Sequence, residues 1–183
     1  MNLFRKFILL LVFGMLFGCD ETPATPPSPQ ALTESATGLY CGMILTEHEG
    51  PKAQIFEKGR TSPLWFTAVR DALAYTRLPG EAQSIVAFYV HDMGLAMSWE
   101  QPQTDGIWMQ AQNAFYVIES VKRGGMGMTE VVPFGTKEKA DQFTTQYGGR
   151  VVDFQNIPTD SLFPEAPENS SASADEKREG LIQ

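Results

Sequence analysis

Two stretches of this chain carry too little apolar surface to fold, and they set the size of everything that can. Residues 20–38 are dominated by Pro, Thr, Ser and Ala, and the stretch from about Pro164 to Gln183 by Pro, Ser, Glu and Lys. Segments of that composition cannot bury enough apolar area to offset the entropy of ordering. The reading is a flexible tether over 19–38, one compact domain over 39–163 and a disordered tail over 164–183. The central part has the length of one ordinary domain.

The N-terminus reads as an export signal over residues 1–18. Arg5 and Lys6 supply a positive region, and Phe7 to Phe17 is an apolar run suited to a signal peptide and too short to span a bilayer. It ends in Leu16-Phe17-Gly18-Cys19, which resembles the lipobox of bacterial lipoproteins, so Cys19 is the expected lipidation site. Cleavage there removes two of the 14 cationic residues and none of the 22 acidic ones, leaving a net charge of −10. That balance argues against nucleic acid, which is bound by Lys and Arg displacing counterions, and against electrostatic adhesion to an anionic membrane. Palmitate-type acyl chains would hold the protein instead, at about 0.8 kcal/mol per buried methylene. Asp20 resembles the sorting signal that keeps enteric-type lipoproteins in the inner membrane. The expected place is therefore the periplasmic face of a bacterial membrane, inner favoured and outer left open.

Within the central region Ala53 to Glu57 alternates as a strand, and Ser62-Pro63 has the form of a helix start, with a serine cap and proline at the first helical position. Trp65, Val69, Ala72, Leu73 and Thr76 follow at helical spacing until Pro79-Gly80. Ser84 to Val90 is β-branched and aromatic, hence a strand that closes at His91-Asp92. The second half repeats the order. Strands are expected over Ala114 to Glu119 and Thr129 to Phe134, then a helix capped by Thr136, then a strand from Arg150 to Phe154 after Gly148-Gly149. With a first strand near Leu39 to Leu45, both halves read as β-β-α-β. The fold class is α+β, with tandem ββαβ units packed into one domain as a mixed sheet with two helices.

The chemistry starts from cysteine usage. If Cys19 is acylated, Cys41 is left as an unpaired thiol in an exported protein, and Met43 lies two residues on. Residues two apart share a face in a strand and can converge around a glycine turn. Thiolate plus thioether is a soft donor pair, the kind that selects Cu(I). The bland alternative is a small buried thiol beside an unrelated core methionine. His91, Asp92 and Met93 follow a strand, where an imidazole can be aimed at a site and a carboxylate can orient it. A solvated pair capping the strand end is the plain alternative. Met126 and Met128 flank Gly127 in a glycine-rich turn, too open for both to fill a core, with Glu130 two residues further as a hard donor. Met97 and Met109 are taken as core, and His48 as part of a solvated turn.

Together these features resemble the NosL family of lipoprotein copper chaperones. The likeness runs from Cys41-Gly42-Met43 behind a lipobox and proline-rich tether through Tyr89-Val90-His91-Asp92, Trp108 with Ala111, and Ala114-Phe115-Tyr116-Val117. It continues through Met126-Gly127, Glu130-Val131-Val132-Pro133-Phe134, the helix with Ala140 and Phe143, and Gly148-Gly149-Arg150-Val151. Met128 and the Trp108-Met109-Gln110-Ala111 stretch depart from the family pattern. The resemblance implies a tandem ββαβ fold similar to one in organomercurial lyases. It implies Cu(I) binding and delivery for maturation of nitrous oxide reductase in denitrification. It further implies docking to the periplasmic part of the Nos ABC transporter assembly. The expected metal ligands are Cys41, Met43, Met126 and His91, with Met128, Asp92, Met93 and Glu130 behind them and Zn(II) as an additional ion. No catalytic residue is assigned. The competing readings are a metal-free adaptor lipoprotein and an organometal-cleaving enzyme, and a homodimer is left open.

Overall fold

The computed structural model describes residues 25–102 and 106–163. The expected signal peptide, Cys19, Asp20 and the expected tail over 164–183 lie outside the described residues.

The β-branched and aromatic runs pair as expected. Strand β1 (Ala53–Glu57) lies between β2 (Leu64–Phe66) and β3 (Ile85–His91), and β4 (Trp108–Gln110) is added outside β3, giving the order β2-β1-β3-β4. Helix α1 (Val69–Tyr75) connects β2 to β3. A second sheet has the order β6-β5-β7, from β5 (Phe115–Ile118), β6 (Val132–Phe134) and β7 (Arg150–Asp153). Helix α2 (Lys137–Tyr147) joins β6 to β7, and a short α3 (Thr159–Leu162) follows. The domain is thus two ββαβ units with the same strand order.

Each helix carries the chain past the first strand of its unit, so the returning strand meets an antiparallel neighbour. Every strand pair in both sheets is antiparallel. This corrects the expectation of one mixed sheet. The repeat is also visible in detail. Phe66 and Phe134 end β2 and β6, and six residues on Ala72 and Ala140 are fully buried. A methyl-sized side chain there lets each helix lie close on its sheet. One large core, including Phe66, Leu73, Phe88, Tyr116 and Ile118, takes residues from both units. Burying each such side chain stabilises by about 1.5–3 kcal/mol, which neither unit could supply alone.

Several boundaries differ from the sequence reading. Ser62-Pro63 leads into β2, and α1 starts at Val69 after an extended Ala68 that provides no side-chain cap. A strand followed by a helix had produced an apparent helical spacing from Trp65 onward. Residues 39–45 form a turn closed by a Thr37–Ile44 bridge, not a strand, and a 3-10 turn follows at Leu45–Glu47. The sixth strand begins only at Val132, because residues 122–131 are committed to a hairpin. Strand β4 was not foreseen. The Thr136 cap is present, its hydroxyl accepting from Lys139 N at 3.3 Å. Part of the expected tether is docked on the domain. The Tyr89 hydroxyl donates to Pro27 O at 2.7 Å, and Gln54 exchanges two hydrogen bonds with the backbone of Gln30 at 2.8 and 3.0 Å.

Candidate metal centre

Cys41 is placed by a turn that needs two glycines. Gly38 N–H donates to Met43 O at 2.9 Å, and Gly42 N–H donates to Gly38 O at 2.8 Å. Gly42 has φ of +65°, a conformation glycine adopts at little cost. Leu39 N–H donates to Trp65 O at 2.7 Å, which lays the turn along β2. The thiol then falls directly over Gly38, where a Cβ would be 2.7 Å from Sγ, and 3.6 Å from Thr67 Oγ1. Cys41 is a free, half-buried cysteine.

Met126 is placed by a hairpin from the other half of the chain. Arg123 and Thr129 bridge, Gly124 N–H donates to Met128 O at 2.9 Å, and Gly127 N–H donates to Gly124 O at 2.8 Å. His48 holds one flank, with Nδ1 3.0 Å from Gly125 O and its own Cβ where a side chain on Gly125 would stand. The hairpin tip meets the Cys41 turn at a pocket of about 100 Å³, where Cys41 and Met126 are joined by Tyr40, Phe66, Thr67 and Asp71. Asp71 is tied back by Arg70, whose Nη2 lies 2.8 Å from its Oδ1. The pocket therefore pairs a thiol with a thioether among aromatic walls. Among the described residues no three His, Cys, Asp or Glu side chains gather as a metal-binding cluster. A soft donor set of this kind suits a soft, low-charge ion.

The remaining sequence candidates lie elsewhere. Met43 is 38% exposed and Met128 is exposed, each on one of the two turns but neither lining the pocket. His91 is 1% exposed at the end of β3, its ring 4.0 Å from that of Trp108 between centroids. Burial, helped by the Lys52 charge, lowers its pKa to about 3, and its Nδ1 has no hydrogen-bond partner. It does not line the Cys41 pocket. Asp92 Oδ1 accepts from Gly94 N at 2.8 Å and from Gly135 N at 2.9 Å, so it fixes the turn before α2. Met93 is half-buried against the second core cluster. Glu130 is 1% exposed behind the hairpin, accepting from Arg70 N and Val131 N at 2.9 Å each, and burial pushes its carboxyl up to about 7. Met97, expected in the core, is exposed, whereas Met109 packs against it.

Asp92 and Glu130 do the same job in opposite directions. Each carboxylate crosses to the other unit and accepts a backbone N–H at the entry to its helix. The sequence reading missed Thr67, Asp71 and His48 as wall and brace of the pocket. The available signal was Gly124-Gly125, since both glycines are close-approach positions, against Glu130 and His48 respectively.

The sequence profile of the NosL family matches residues 29–162. The chain is 45% identical over 159 residues to the copper-binding lipoprotein NosL of Achromobacter cycloclastes, covering 86% of this chain and 81% of the relative. It is 35% identical over 151 residues to the copper-binding lipoprotein NosL of Stutzerimonas stutzeri, covering 81% and 76%. The fold matches the crystal structure of the copper chaperone NosL from Shewanella denitrificans with a TM-score of 0.69 and 32% identity, covering 74% of this chain and 98% of that one.

Proposed function

This chain belongs to the NosL family, and on that premise we propose that it is a membrane-anchored periplasmic Cu(I) carrier serving the maturation of nitrous oxide reductase. Copper is its cargo. The observation that carries the reading is that a thiol and a thioether from opposite halves of the sequence, Cys41 and Met126, line one pocket. Cys41 supplies the anionic ligand as thiolate, and Met126 supplies a neutral thioether. Met43, exposed on the Cys41 turn, is the third donor. Thioethers carry neither charge nor proton, so a partner sulfur or imidazole can replace them one at a time. An open, incomplete shell then gives fast transfer without weak binding.

His91 is left out of this ligand set because it is 1% exposed and packed against Trp108, whereas Met43 is exposed on the same turn as Cys41. Asp92 Oδ1 and Glu130 Oε1 each already accept from backbone N–H groups at separate helix entries, so no second site for a harder ion such as Zn(II) is proposed. Cleavage of a carbon–metal bond draws on more than one thiol, and Cys41 is the single cysteine among the described residues. The reading is therefore of a carrier, not an enzyme. Acylation of Cys19 would anchor it, with Asp20 favouring the inner membrane, and the acceptors are the periplasmic part of the Nos transporter assembly and nitrous oxide reductase.

Anaerobic competition against a Cu(I) chelator tests the ligand set. Cys41→Ser loses at least about 100-fold in affinity and Met126→Ala about tenfold, the scale on which ligands and their supports act in metal sites. X-ray absorption on the loaded protein then shows one sulfur scatterer fewer in each variant. Wild-type affinity in Cys41→Ser rejects the assignment.

A further inference from the structure

Glu130 is the one buried acidic residue among the described residues, and its second oxygen, Oε2, has no hydrogen-bond partner. Leaving a carboxyl group this incompletely satisfied in the interior is unfavourable, and an apolar side chain would avoid that cost. Its position explains why it is there. Oε1 accepts Arg70 N–H at 2.9 Å at the start of α1, a helix with no side-chain cap of its own. Arg70 is next to Asp71 in the pocket wall and three residues beyond Thr67, whose hydroxyl touches Cys41 Sγ. On its other side Oε2 lies against Gly124, where any Cβ would collide with it. Gly124 in turn closes the hairpin through its bonds to Met128 O and from Gly127 N, two residues from Met126 on the chain. Among the described residues no other side-chain hydrogen bond runs from this hairpin to residues 67–71.

We propose that Glu130 is a positioning residue that couples the Met126 hairpin to the Cys41–Thr67 wall and thereby sets the spacing of the two sulfurs. This rests on the Cu(I) site proposed above. Sites of this kind hold affinity only when supporting groups fix the ligands to within about 0.5 Å, and loss of a support costs about 10–100-fold.

The test uses the full chain, with Cu(I) affinity measured by chelator competition and the sulfur count by X-ray absorption. Glu130→Ala loses about tenfold or more and one sulfur scatterer, although both sulfurs remain in the sequence. Glu130→Gln restores both values, because the amide oxygen accepts the same two N–H groups. The double variant Glu130→Ala/Met126→Ala binds no more weakly than Met126→Ala alone, since Glu130 acts through that methionine. Gly124→Ala, at a position without positive φ, pushes the hairpin off the carboxyl group and lowers affinity with neither donor removed. It decides the matter if Glu130→Ala does not fold. Wild-type affinity and sulfur count in Glu130→Ala or Gly124→Ala, with Met126→Ala weakened, overturn the coupling while the ligand assignment stands. Unchanged affinity in Met126→Ala overturns the ligand assignment and the coupling with it.

Discussion

Replacing Gly38 with alanine places a methyl carbon 2.7 Å from Cys41 Sγ. Ordinary contact begins at 3.4 Å, so the sulfur or the turn must give by about 0.7 Å. Thr67 Cγ2, 3.2 Å from the same carbon, closes the neighbouring side. The backbone itself has no objection, because Gly38 is not at positive φ and its bonds to Met43 O and from Gly42 N use main-chain atoms alone. The strain therefore falls on the thiol. Overpacking of this kind costs about 1–3 kcal/mol in stability. On the proposed Cu(I) site, a displacement larger than the roughly 0.5 Å that a built site tolerates is expected to lower affinity by about 10–100-fold. The assay is anaerobic competition against a Cu(I) chelator, with circular dichroism confirming an unchanged fold. Gly42→Ala is the control. It has nothing within 4 Å but sits at φ +65°, so it strains the same turn by about 1–2 kcal/mol without touching the sulfur. If Gly38→Ala binds Cu(I) as tightly as Gly42→Ala, the thiol is not held where the pocket requires it.

Two further outcomes follow from the buried polar residues. His91 has its pKa lowered by burial and by Lys52 to about 3 from a usual 6.5, so it contributes stability above pH 6.5 that is lost as pH falls toward 3. At about 1.36 kcal/mol per pKa unit the loss is on the order of 3 kcal/mol by pH 4, and His91→Gln should flatten this acid limb in urea titrations. Glu130, raised to about 7, acts in the opposite sense between pH 4.5 and 7 in both proteins, so it cancels when His91→Gln is compared with the parent at each pH. An acid limb unchanged in His91→Gln would reject a neutral buried imidazole. Lys52 is fully buried and donates to Glu49 O at 2.8 Å and Gly50 O at 2.7 Å. Lys52→Met strands the buried Gly50 carbonyl and should lower stability by about 1–3 kcal/mol, read as a fall in thermal midpoint, while a change within about 0.5 kcal/mol would show that water reaches it.

The elements that the sequence reading found are those whose local pattern has one interpretation. Ile85–His91, Phe115–Ile118 and the Thr136-capped helix are of this kind, since β-branched runs and a bonded cap are decided by neighbours within a few residues. Ser62-Pro63 misled because the same dipeptide suits a helix start and a strand entrance, and only pairing of Leu64–Phe66 with β1 decides between them. Asp92 and Glu130 were read as donors because an acid beside a histidine or methionine looks like a ligand. Beyond local bonds from Gly94 N and Val131 N, their long-range partners, Gly135 N and Arg70 N, are 43 and 60 residues away and leave no local trace.

By itself the sequence determined the chemical character of this protein. Residue type alone decides that Cys41, Met43 and Met126 are soft donors and that the second half carries a ββαβ pattern, whereas the first unit's opening pair, β1 with β2, was settled only by strand pairing. Tertiary structure decided which donors share a pocket. It brought Cys41 and Met126 to one pocket, kept Met43 and Met128 outside its lining, and buried His91 against Trp108. The physical reason is that donor softness belongs to one atom, whereas the separation of two atoms distant in the chain is set by how the units pack, here through Gly38, Gly124 and the carboxyl group of Glu130.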